Sequence, residues 1–86
     1  MSTGTPARIL VAEDEAIIRL DLVEMLREAG YEVVAQATNG VEAIALAQEV
    51  KPDLAILDVK MPEMDGITAA ASIIEIAPVL MPVSYT

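Results

Sequence analysis

The chain has no cysteine, so disulfides and thiolate chemistry are excluded and a reducing compartment is permitted. It has no phenylalanine or tryptophan and only two tyrosines, Tyr31 and Tyr85, so any core it builds is aliphatic. Basic residues are scarce: five Lys and Arg stand against fourteen Asp and Glu, a formal net charge of -9. Phosphate contacts need clustered Lys and Arg, so this balance argues against nucleic-acid binding by the segment and suits a cation site better. No apolar run approaches the ~20 residues of a membrane span. The N-terminal "MSTGTPA" lacks the basic start and long apolar stretch of a signal peptide. The expectation is a cytoplasmic protein that does not enter a membrane.

What is present suffices for one small domain. The chain has 86 residues, 55% of them hydrophobic, enough for a single core. Residues 1–7 read as a flexible leader. "RILVA" (8–12) is a short continuous apolar run of the kind buried on both faces of a parallel sheet, and "YEVVAQA" (31–37) and the apolar "LAIL" (54–57) read as a second and a third strand. Between them the spacing predicts helices over about 15–29 and 41–50. The first would bury Ile18, Leu22, Met25, Leu26 and Ala29, and leave Arg19 and Asp21 on a solvated face. The second would turn Val41, Ile44, Ala45 and Gln48 to one side. Gly30 is placed to take positive φ after the first helix, and Asn39 with Glu42 resembles a capping box opening the second. A loop over 58–65, a helix over 67–76 and a fourth strand over 79–83 complete the pattern. Strand alternating with helix is the signature of a parallel sheet covered on both faces.

Two of the strands end in acid. Glu13 and Asp14 follow the first, and Asp58 ends the third, just before "VKMPEMDG". In an open parallel sheet of order 2-1-3-4, strands one and three are neighbours across the point where strand order reverses, and ligands bind beyond the carboxyl ends there. Three carboxylates would converge, and converging carboxylates repel unless something offsets them. A hard divalent cation does so, and Mg²⁺ takes one or two carboxylates, waters and phosphate oxygens. Asp58, central at a strand end, is the candidate nucleophile toward a phosphoryl group, with Glu13 and Asp14 as metal holders. A flavodoxin-type flavin site would instead need a Ser/Thr/Gly-rich loop after strand one. A haloacid-dehalogenase-type phosphatase would need an aspartate where Lys60 stands.

The stretches "ILVAEDE" and "LAILDVKMPEMDG", in this order of elements, resemble the receiver domain of two-component response regulators. "AEDEAIIRLDLVEMLREAGYEV" with "VKPDLAILDVKMPEMDGI" is similar to receivers of ANTAR-type antitermination regulators. The resemblance runs from about residue 8 to 67. It implies a flavodoxin-like doubly wound fold, with 8–86 an incomplete receiver domain in which the fifth strand and its lysine have no counterpart. It implies that Asp58 is the phosphoacceptor, charged by a histidine kinase, and that Mg²⁺ is held by Glu13, Asp14, Asp58 and the backbone carbonyl of Lys60. Ser84, with Thr86 next, is the candidate for a hydroxyl contact to the phosphoryl group. The expected role is a phosphorelay signalling domain rather than an enzyme, controlling a downstream output such as transcription antitermination. The rival is a receiver remnant that binds metal or a partner without switching. Asp65-Gly66 reads as turn chemistry, and Met61 and Met64 as loop packing. The apolar fourth strand, containing Pro82, reads as an open edge suited to self-association.

Overall fold

The computed structural model describes residues 6–58 and 71–80. The elements run β1 (Arg8–Ala12), α1 (Ala16–Glu28), β2 (Glu32–Ala37), α2 (Gly40–Val50), β3 (Leu54–Leu57) and β4 (Val79–Leu80). All strand pairs are parallel and lie in the order β2-β1-β3-β4, the flavodoxin-like arrangement expected from the sequence. Residues 71–73 are helical and residues 74–76 form a turn leading to β4, so the third helix ends at 73 and not at 76 as expected. The remainder of that helix, the 58–65 loop beyond Asp58, and residues 81–83 of the fourth strand fall outside the described residues.

The apolar strands are explained by what covers them. Successive strand residues point to opposite faces, and both faces are packed. Leu10, Ala12, Ala55 and Leu57 lie on one side with Ala37, Ile73 and the α2 residues Ala43 and Ala47. Ile9, Val11 and Ile56 lie on the other with Val23, Leu22 and Leu26 of α1. A strand buried on both faces cannot alternate apolar with polar residues, hence the continuous runs.

The helix faces differ from those expected. In α1 the buried residue is Val23, flanked by half-buried Leu22 and Leu26, while Ile18 and Ala29 are exposed and Met25 is 61% exposed. Apolar residues surround this helix on nearly all sides, and of the expected stripe Leu22 and Leu26 meet the sheet while Ile18, Met25 and Ala29 turn away from it. In α2 the inner face is Ala43 and Ala47 with half-buried Ile44 and Val50. Val41 is 56% exposed, and Ala45 and Gln48 also face outward. Small residues let this helix lie close to the sheet.

The helix ends follow the local chemistry. Gly30 takes φ 98° after α1, as anticipated. The Asn39 side chain accepts from the Glu42 amide at 2.8 Å, satisfying an orphan donor at the start of α2. The Glu42 carboxylate reaches back one residue further than in a standard capping box, accepting from the Thr38 amide at 2.8 Å and hydroxyl at 3.0 Å. At the other end, the Arg8 guanidinium donates to the Val50 and Lys51 carbonyls at 2.9 and 3.0 Å. This satisfies carbonyls that the end of a helix leaves without partners.

Candidate functional site

The ladder extends one residue beyond each of the two acidic strand ends. The Glu13 amide donates to the Ala37 carbonyl at the end of β2, 3.0 Å, and the Asp58 amide donates to the Ala12 carbonyl at the end of β1, 2.9 Å. Backbone pairing therefore fixes Glu13 and Asp58 side by side at the carboxyl edge of the sheet. The two side chains are within hydrogen-bonding reach, and Asp14 stands beside Glu13.

The three acids differ in environment. Glu13 is 2% exposed and is the buried charged residue of the described chain. Asp58 is half-buried, and Asp14 is exposed. Glu13 Oε2 accepts from the Glu15 amide at 3.0 Å, but Oε1 is buried and receives no hydrogen bond. A buried acceptor without a donor is costly and uncommon.

The electrostatics follow. Burial, with the neighbouring Asp58 carboxyl as the next cause, raises the Glu13 carboxyl from 4.5 to about 7; the Glu15 amide pulls it down, and Asp14 pushes it up. When Glu13 is ionised the neighbouring acids repel one another, and a cation placed among them would relieve that repulsion.

Among the described residues no three acidic, histidine or cysteine side chains form a closed metal-binding group. The donor chemistry nevertheless fits a hard cation. The unpartnered Glu13 Oε1, beside Asp58 and Asp14, is an oxygen that a divalent ion would satisfy, and Mg²⁺ characteristically completes its shell with water. Lys60, Ser84 and Thr86 lie outside the described residues.

Arg19 departs from the expected solvated position. It is half-buried, and its Nη1 donates to the Glu13 backbone carbonyl at 2.8 Å. Its charge also contributes to lowering the Glu42 carboxyl, after the dominant hydrogen bonds from Thr38. Its amide bonds to the Glu15 carbonyl at 2.9 Å, which sets it one helical turn from the acidic triplet.

The response regulator receiver domain model matches residues 9–85. The chain belongs to the response regulator receiver family. This receiver is 55% identical over 85 residues to the transcriptional regulatory protein PdtaR of Mycobacterium tuberculosis, a match covering 96% of the chain and 42% of that relative. It is 45% identical over 71 residues to the chemotaxis protein CheY of Thermotoga maritima, covering 83% of the chain and 59% of CheY. It thus spans less than half the length of the PdtaR relatives. Among solved structures, the receiver domain of NarL from M. tuberculosis superposes with a TM-score of 0.85 at 33% identity, covering 91% of this chain and 66% of that one. The CheX–CheY–BeF3–Mg²⁺ complex of Borrelia burgdorferi also gives 0.85, at 30% identity, covering 91% and 62%. Membership makes this receiver a two-component phosphorelay signalling domain, in a family where phosphorylation and Mg²⁺ are typical. No described helix is long and apolar enough to cross a membrane.

Proposed function

We propose that this receiver accepts a phosphoryl group on Asp58 from a histidine kinase, in a Mg²⁺-dependent reaction, and thereby controls a downstream output in the cytoplasm. The observation that carries the reading is the pairing of Asp58 with buried Glu13, whose Oε1 has no donor. In the proposed step an Asp58 carboxylate oxygen attacks phosphorus as the P–N bond of the kinase phosphohistidine breaks. The imidazole nitrogen leaves with the bonding pair, and an acyl phosphate forms on Asp58.

Glu13, Asp14, Asp58 and the Lys60 carbonyl would hold Mg²⁺, which when bound neutralises charge on the transferring phosphoryl oxygens. The half-buried Asp58 is open to an incoming phosphoryl group, whereas buried Glu13 is turned to holding charge. Ser84 is assigned as a hydroxyl contact to the phosphoryl oxygens. The regulated output is assigned to transcription, with antitermination as its form; its support is the 55% identity to a transcriptional regulatory protein. The segment itself touches no nucleic acid, in keeping with its charge of -9. Among the described residues β4 has a strand neighbour on one side only, so the reading includes self-association through that edge.

The test is incubation with acetyl phosphate and Mg²⁺ followed by intact-mass measurement. A single hydroxylamine-labile phosphoryl adduct is expected in the wild type and none in Asp58→Asn. An adduct that persists in Asp58→Asn would overturn the assignment.

A further inference from the structure

Both hydrogen-bonding groups of the Glu13 backbone are held. Its amide is pinned to the Ala37 carbonyl of β2 at 3.0 Å, and its carbonyl to Arg19 Nη1 at 2.8 Å. The carbonyl belongs to the peptide plane joining Glu13 to Asp14. Because a peptide unit is planar, fixing that oxygen fixes where the Asp14 N and Cα lie as the chain leaves the strand, and so narrows the directions open to its side chain. The third hold is the Glu15 amide on Glu13 Oε2, 3.0 Å. Without Arg19, the turn between β1 and α1 keeps the two contacts of Glu13 but loses the one that sets the orientation of the next residue.

Arg19 is anchored for this task. It rises from the first turn of α1, where its amide bonds to the Glu15 carbonyl. Its half-buried side chain runs back along the helix toward the strand end, and its charge is felt at Glu42 in the first turn of α2. A planar guanidinium holds a carbonyl with less loss of freedom than an ammonium on a flexible stem.

We propose that Arg19 is a positioning residue for the cation site: it sets the Glu13–Asp14 peptide so that both carboxylates meet one divalent ion. The inference rests on the Mg²⁺ reading above. Mg²⁺ demands near-ideal octahedral geometry, so a rotated Asp14 weakens binding even with every ligand present. Outer residues that orient ligands typically contribute 10- to 100-fold in metal affinity or activity.

Charge makes the test discriminating. A guanidinium near a cation site repels the cation, so electrostatics alone would make Arg19→Met bind Mg²⁺ more tightly. Positioning requires the opposite. Mg²⁺ is titrated into the full chain and followed by the backbone amide resonances of Ala12 and Asp14, well below the melting temperature, for wild type, Arg19→Met and Arg19→Lys. Melting in EDTA is recorded alongside, so that each variant is compared as folded protein. The expected result is Kd raised about tenfold in Arg19→Met, with Arg19→Lys, which keeps the charge and N–H donors but not the planar fork, in between. Equal or tighter binding by folded Arg19→Met would overturn the inference, as would a lowered melting temperature with unchanged Kd. Absence of any Mg²⁺ response in the wild type would instead overturn the metal reading on which it stands.

Discussion

Glu13→Gln isolates the most unusual electrostatic feature of the molecule. The Glu13 carboxyl is raised from 4.5 to about 7, first by burial and then by Asp58, so ionising it opposes folding. The folded state binds this proton more tightly than the unfolded state. Its stabilising effect is therefore fully present below pH 4.5 and is lost as pH rises through 7. The whole rise corresponds to about 3 kcal/mol, of which linkage places the smaller part below pH 5.5 and the larger part, ~2 kcal/mol, between pH 5.5 and 8.5. Glutamine imitates the protonated acid: Oε1 can keep the Glu15 amide, and Nε2 can donate toward Asp58. Without divalent cations, Glu13→Gln should be more stable than wild type, by a margin about 2 kcal/mol wider at pH 8.5 than at pH 5.5. For a domain of this size, that margin is on the order of ten degrees in melting temperature. Thermal melts by circular dichroism in EDTA at both pH values provide the measurement. Asp14, Asp58 and Arg19, the other charges around Glu13, are unchanged in the variant. A difference that is the same at both pH values, or a variant less stable at pH 8.5, would refute the electrostatic reasoning.

Other expected outcomes are simpler. Mg²⁺ should stabilise the wild type by ~2.7 kcal/mol at a hundredfold excess over its dissociation constant, with a smaller response in Asp14→Asn; equal responses by differential scanning fluorimetry would remove Asp14 from the site. Asn39→Ala deletes the 2.8 Å cap on the Glu42 amide and should cost about 1 kcal/mol in urea unfolding. An unchanged unfolding midpoint would show the cap to be idle. Size-exclusion chromatography with light scattering should show mass rising with concentration if the β4 edge pairs between chains; a monomer at every concentration contradicts that assignment.

The strands were legible because their environment leaves little choice of residue. β1 and β3 are packed on both faces, so their apolar runs coincide with their bounds, Arg8–Ala12 and Leu54–Leu57. The acidic ends were legible for the same reason: a carboxylate after such a run lies where the sheet stops. The helix faces were harder to read. Periodicity ranks residues by size and polarity, whereas the sheet accepts Val23, Ala43 and Ala47 and leaves Met25 and Val41 outside. Arg19 was hidden more deeply. A long cationic side chain reads as solvated, and nothing in its immediate neighbours reveals that it turns back toward the Glu13 carbonyl. Which of the three acids would be buried was equally invisible, since Glu13 and Asp14 are adjacent and chemically alike. The hydrogen bond from Glu13 to the end of β2 separates them: it keeps Glu13 in the sheet layer and lets Asp14 leave it.

On the proposed reading, Asp58, Glu13 and Asp14 form one cation-dependent phosphoryl site. Beryllofluoride, a mimic of the phosphoryl group on an aspartate, probes it directly by ¹⁹F NMR. Bound fluoride resonances are expected in the wild type only when Mg²⁺ is present, absent in Asp58→Asn, and weakened in Asp14→Asn. Bound resonances in Asp58→Asn, or in the wild type without a divalent cation, would contradict the account.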